Sequence, residues 1–208
     1  MVDYQIVNGM MMFVADEVIK NEELLSDADR SIGDGDHGLG MKRGFSEVKK
    51  KLLETNPLTI ENIFQISGHA LIASMGGASG PIFGMLFIKG ADAIKDCNNL
   101  DSSSLFSFLE GGCDGIGVIS QAKLGDKTML DVLIPARDAA KKAIDKPLPE
   151  AFLSVEKSAK LGVENTKKMI AKIGRATTLG DRSIGHPDPG ALSLWVILKA
   201  ASDYINNY

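Results

Sequence analysis

Apolar positions recur along this chain at steps of three and four, the spacing that gathers side chains on one face of a helix. Ile6, Met10, Phe13, Val14 and Val18 form the first such face. Met41, Phe45, Val48 and Leu52 form a second over about Gly38 to Leu53, with Lys and Glu between them. Ile63, Ile66, Ala70 and Ala73 carry the rhythm from about Thr59 to Met75, and further helices are predicted over Pro81–Ile94, Ser102–Val118 and Thr128–Ala143. Pro149-Glu150 fits the first turn of a helix running to about Ile173, because Pro there gives up no needed hydrogen bond. Asp188-Pro189 opens the last helix, with Asp188 as its N-cap. That helix carries Leu192, Leu194, Trp195, Ile197, Leu198, Ala201 and Ile205 on more than one side, which predicts a path through the middle of the core. Alternating strand patterns are scarce. The expectation is an all-α fold of about eight helices in a single domain, 1–208, with no repeat and no linker.

Composition narrows the function classes. Of 208 residues, 44% are hydrophobic and 24% charged, an ordinary globular balance. The net charge of −4 argues against a protein whose main partner is nucleic acid or an anionic membrane surface. A phosphorylated ligand stays open, since a metal ion reverses the local sign. Two cysteines, Cys97 and Cys113, form no CxxC pair and are too few for a disulfide scaffold, which points to a reducing compartment. The start, Met1-Val2-Asp3, is acidic where a secretory signal is basic, and Ala191–Leu198, the most apolar stretch, is too short to span a bilayer. A cytoplasmic protein is expected.

The connections carry the chemistry. Asp29, Asp34 and Asp36 fall within eight positions of a loop that ends Gly33-Asp34-Gly35-Asp36-His37-Gly38. Like charges this close need a cation or strong donors, and glycine lets the backbone turn so that carboxylates two apart converge. The EF-hand spacing fails, because neither register places Gly at loop position six with Glu at position twelve. Magnesium, which takes few carboxylates and completes its shell with water and phosphate oxygens, is the favoured ion. Gly33-x-Gly35-x-x-Gly38 also matches the dinucleotide fingerprint, but no strand precedes it and two aspartates interrupt it.

Three more loops follow. Gly76-Gly77-Ala78-Ser79-Gly80-Pro81 offers bare amides and a helix start to an anion, or simply lets two helices cross closely. Gly125-Asp126-Lys127-Thr128-Met129 is not a Walker A motif, since Gly is missing before the lysine; Thr128 and Asp131 fit a capping box equally well. The long polar link from Gly174 to Gly190 holds Arg175 and Arg182, which can grip phosphate or form surface ion pairs, and its length suggests a lid.

In this order, Gly33-Asp-Gly-Asp-His-Gly38, Gly76-Gly-Ala-Ser-Gly-Pro81, Gly125-Asp-Lys-Thr-Met129 and Ser183-Ile-Gly-His-Pro-Asp-Pro-Gly190 resemble the L subunit of dihydroxyacetone kinase over essentially the whole chain. The resemblance implies an eight-helix antiparallel barrel that holds ADP or ATP at one end through two magnesium ions. It assigns Asp29, Asp34 and Asp36 to the metal, and His37, Gly38, Leu39, Gly40, Ala78, Ser79, Met129, Arg175, Asp188, Pro189 and Gly190 to the nucleotide. It further implies a separate ketose-binding K subunit as partner and rephosphorylation of bound ADP by a phosphotransferase-system protein. Contact with a transcriptional regulator and a homodimer stay open, as does ATP exchange in place of the relay. The ketose is dihydroxyacetone by default, with a short keto sugar such as erythrulose as the alternative. A magnesium-dependent phosphohydrolase and a nucleotide-binding adaptor without turnover are the competing readings from other classes.

Overall fold

The computed structural model describes all 208 residues. They form nine α-helices: α1 Tyr4–Lys20, α2 Glu22–Ile32, α3 His37–Thr55, α4 Ile60–Ser74, α5 Ser79–Ala93, α6 Ser102–Ile119, α7 Leu130–Lys142, α8 Leu148–Thr166 and α9 Pro189–Asn207. A 3₁₀ segment, Arg175–Ser183, stands between α8 and α9. The sole extended pairing is an isolated antiparallel bridge between Val2 and Leu100. No helix is long and apolar enough to cross a membrane.

Polar residues start the helices where orphan N–H groups need acceptors. Asp3 accepts from Gln5 and Ile6 at the head of α1, and Thr59 accepts from Asn62 at the head of α4. Asp101 and Ser104 close a reciprocal capping box on α6. Because most links are short, successive helices run antiparallel. Following helix-to-helix packing, α1 lies on α3, then α3 through α9 follow in chain order, and α9 returns to α1. One continuous core of 49 buried residues fills the circuit. Phe64, Phe87 and Phe108 meet there from α4, α5 and α6, with ring centroids 4.5–6.2 Å apart.

Four sequence expectations change. The first is α2, which stands apart from the circuit, against α3 and α9, and occupies part of the stretch expected to be loop. Leu25, Ala28, Asp29 and Ile32 are buried along one face, so the carboxylates lie on a helical period that their charge obscured. Asp29 is therefore fixed on the last turn of a helix and only Asp34 and Asp36 lie in the loop. Second, α8 ends at Thr166, where the Lys168 and Met169 N–H groups close tighter turns onto Asn165 O and Thr166 O and groups from elsewhere reach the same end. Thr166 O accepts from Lys127 Nζ at 2.6 Å, and Lys167 O accepts from the Gly185 N–H at 2.7 Å. Third, α9 is a member of the circuit, with α8 and α1 on its two sides and α7 and α2 touching it as well, which explains apolar positions all round. Fourth, Phe13 and Ala73 face solvent, whereas Met41, Phe45, Val48 and Leu52 are buried as the period predicts.

Candidate functional site

Antiparallel order sends the N-termini of α3, α5, α7 and α9 to the same end of the circuit. There the segments around Asp36, Ala78, Met129 and Pro189 line one cleft of about 380 Å³. Each helix start brings the positive end of its dipole to this cleft, worth roughly 0.3–1 kcal/mol to a nearby anion. Opposite in sign, Asp29, Asp34 and Asp36 line the same cleft, with one carboxylate oxygen from each lying within 4.8 Å of the others. Negative groups gathered beside positive helix ends form a place for a cation that carries an anion.

The carboxylates are placed by local packing. Asp29 is 8% exposed, and its Oδ2 accepts the His37 N–H at 3.1 Å, which joins the end of α2 to the start of α3. Gly33 follows because a Cβ there would stand 2.1 Å from Asp29 Oδ1. Asp34 and Asp36 are exposed, and Asp34 pairs with the guanidinium of Arg175 from the 3₁₀ segment. A cation thus already sits against the triad, as a side chain. Oxygen donors that are clustered, acidic and partly open suit magnesium better than a soft metal, and the residues fit that ion.

His37 is buried beneath the cleft floor. Its Nε2 lies 2.7 Å from Ser193 Oγ on α9 and its Nδ1 lies 3.3 Å from Ser79 Oγ on α5, so one ring ties three helix starts together. Burial pushes its pKa down; Asp29 and the Pro189 carbonyl pull the other way without prevailing, so the imidazole is neutral at pH 7. Gly76 and Gly77 have φ of +76° and +59°, a left-handed pair that leads the chain tightly from α4 into α5 and turns bare backbone toward the cleft. Arg43 fixes this turn from α3, donating from Nε to Ser74 O at 2.7 Å and from Nη2 to Met75 O at 2.5 Å.

On the opposite wall, Asp131 receives the N–H groups of Gly125 at 2.6 Å and Thr128 at 2.8 Å, and Thr128 Oγ1 accepts the Leu130 N–H. Lys127 between them is 1% exposed and adopts φ +60°, a left-handed conformation that costs a non-glycine residue roughly 1–2 kcal/mol. Asp188 caps α9 by accepting the Ala191 N–H at 2.8 Å. Burial raises its pKa to about 7; the Ala191 N–H and Lys127 oppose the rise, and Asp131 and Asp29 add to it.

Of the residues assigned from sequence, Asp29, Asp34, Asp36, His37, Gly40, Ala78, Ser79, Met129, Arg175, Asp188, Pro189 and Gly190 all line the cleft. Gly38 and Leu39 do not. A Cβ on Gly38 would meet Glu22 O and Ser26 at 2.3 Å, so that glycine lets α3 approach α2, and Leu39 points to solvent at 53% exposure. Arg43, Lys127 and Thr128 also line the cleft. Arg43 gave no sequence signal beyond being a cation two turns into a glycine-rich helix, whereas Lys127 was visible as a lysine inside a glycine-acid turn.

A protein-family model described as DAK2 domain matches residues 31–203. The ADP-binding subunit DhaL of a PEP-dependent dihydroxyacetone kinase from Escherichia coli K12 is 39% identical over 94% of this chain and 93% of its own length. The ADP-binding subunit DhaL of PEP-dependent dihydroxyacetone kinase 1 from Listeria innocua is 38% identical over 89% of this chain and 88% of its own. The crystal structure of the dihydroxyacetone kinase from C. freundii in complex with AMP-PNP and Mg2+ superposes with a TM-score of 0.70 at 26% identity, covering 95% of this chain and 33% of that one. With a family match over most of its length and subunits that align almost end to end, this chain belongs to the DAK2-domain family, together with the DhaL subunits of dihydroxyacetone kinase.

Proposed function

We propose that this chain is the nucleotide-holding subunit of a dihydroxyacetone kinase, a phosphotransferase that works with a separate ketose-binding subunit. The observation that carries the reading is the acidic triad set among four helix N-termini in one cleft. A nucleoside diphosphate brought to three carboxylates is repelled, while the same diphosphate complexed with magnesium meets ligands for the ion and N–H donors for its phosphates. Asp29, Asp34 and Asp36 would hold two magnesium ions, which when bound neutralise the phosphate oxygens and stabilise charge in the transferring phosphoryl group. Backbone from Gly76 to Ser79 and the start of α9 would cradle the phosphates, and Met129 would contact the rest of the nucleotide. Arg175 would exchange its pair with Asp34 for the phosphates. His37, held neutral between two serine hydroxyls, positions Ser79.

The ketose belongs to the partner, and the cleft opens at the end of the circuit where such a partner would face it. Names of the relatives support dihydroxyacetone as substrate and a phosphotransferase-system protein as the donor that recharges bound ADP. Calorimetric titration with ADP tests the core of the proposal: uptake with magnesium and none with excess chelator is expected, and equal uptake in both overturns it. Adding a K-type subunit, dihydroxyacetone and a phosphoryl donor should then give turnover. Phosphate-ester hydrolysis by the isolated chain would instead identify a stand-alone phosphohydrolase.

A further inference from the structure

Residues 167–185 leave the circuit after α8 and return to it at one neck. There the Gly185 N–H donates to Lys167 O at 2.7 Å, and the Asp188 N–H donates to Thr166 Oγ1 at 3.1 Å. Lys127 enters this neck from a different part of the chain. Its Nζ donates to Thr166 O on the outgoing strand of the neck and to His186 O on the returning one, each at 2.6 Å. Lys127 itself lies in the turn before α7, and neither bond serves that turn. An ammonium buried to 1% exposure and spent on the two sides of one neck acts as a clasp. Asp126, its neighbour, provides the second tether: its carbonyl accepts the Lys172 N–H at 3.1 Å and its carboxylate pairs with Lys172 Nζ at 3.3 Å. Beyond that tether the excursion carries Arg175 to Asp34.

We infer that Lys127 is a positioning residue: by clasping both ends of the 167–185 excursion it fixes where Arg175 meets the acidic triad and where α9 begins. Burial and its surroundings agree with the assignment. Burial lowers the pKa of Lys127, and Asp188 and Asp131, the acidic groups that face it, oppose that fall. Without the ammonium, His186 O loses this donor and Thr166 O keeps only the Met169 N–H, so nothing from outside joins the two sides of the neck. The Gly185–Lys167 and Asp188–Thr166 bonds are left to hold it, with the Asp126–Lys172 tether further along. The excursion then swings on those contacts, and Arg175 spends less time at the triad.

The inference rests on the cleft being a magnesium–nucleotide site, and the experiment separates the two. Lys127→Met is made in the full chain. Without nucleotide, trypsin should cut it after Lys172, Arg175 or Arg182 about tenfold faster than the unaltered protein, the helices elsewhere keeping their protection. Magnesium-ADP affinity should fall about tenfold. In an Arg175→Gln background the same change should cost little further affinity, since Lys127 acts through Arg175, whereas a merely structural residue gives additive losses. Unchanged trypsin cutting, or additive losses, overturns the inference. Should Lys127→Met fail to fold, Thr166→Val, which removes one neck bond at nearly constant volume, should show the same two effects at about threefold; if it shows neither, the clasp is refuted. If the unaltered protein takes up no magnesium-ADP, the reading of the cleft fails alone, and the trypsin comparison still decides the clasp.

Discussion

Gly33→Ala is the sharpest probe of how the triad is built. A Cβ at this position would stand 2.1 Å from Asp29 Oδ1, 2.9 Å from its Cγ and 3.1 Å from its carbonyl oxygen. For the first gap to reach ordinary contact the carboxylate must retreat by about 1.3 Å. The backbone itself tolerates alanine, since φ of −139° lies outside the left-handed region, so the effect is steric. Magnesium demands near-ideal octahedral geometry, and misplacement by about 1 Å can cost on the order of 10²-fold. Magnesium-ADP affinity should therefore fall by roughly 30–100-fold, about 2–3 kcal/mol. Stability should drop by only about 1 kcal/mol, for a weakened His37 N–H contact. Calorimetric titration with magnesium gives the first quantity and denaturant unfolding followed by circular dichroism gives the second. An Asp29→Ala background supplies the control, because with no carboxylate to displace, the added methyl should cost nothing more. Affinity within threefold of the unaltered protein, or full additivity with Asp29→Ala, refutes the argument that glycine is there for the ligand geometry.

Arg175→Gln removes an exposed partner of Asp34, so the melting temperature should hardly change while magnesium-ADP affinity falls about tenfold; calorimetry beside thermal melts checks both. Asp188 has a carboxyl whose pKa is raised in the folded state from 3.8 to about 7, so its contribution to stability is complete below pH 4 and is lost as pH rises through 7. In metal-free protein, Asp188→Asn should then gain stability relative to the unaltered chain across that window, and parallel urea midpoints from pH 4 to 8 would refute the shift. Burial pushes the Cys113 thiol up to about 11, so it should resist iodoacetamide at pH 8 in the native state and react on unfolding, as mass spectrometry of the alkylated chain will show.

What the sequence disclosed divides by the range of the interaction involved. Helical period, Asp188 as a cap and the buried stripe of Met41, Phe45, Val48 and Leu52 are local properties, and they were legible. The glycine-acid motifs exposed the cleft for the same reason, each being a short contiguous run. What stayed hidden depends on distant partners. The end of α8 at Thr166 is bonded by a lysine 39 residues earlier, and Arg43 matters through carbonyls 31 and 32 residues away. In Glu22–Ile32 the period of Leu25, Ala28, Asp29 and Ile32 is helical but is masked by the acidic residues among them, and the contact that fixes Asp29 is with the start of α3. Leu39, assigned as part of the His37–Gly40 segment, has its side chain in solvent, a direction set by its place on the helix and not by the motif it belongs to.

The cleft is assembled from turns that precede α3, α5, α7 and α9, spread from Asp36 to Gly190. It exists only once α9 has closed on α1, so binding requires the whole circuit to be packed. A ligand seated there is coupled to global unfolding, and saturating it a hundredfold above its dissociation constant adds about 2.7 kcal/mol to every amide whose exchange requires full opening. Occupancy should accordingly be readable at the far end of the molecule, around Val2 and Leu100, as slowed hydrogen exchange where no ligand atom comes near.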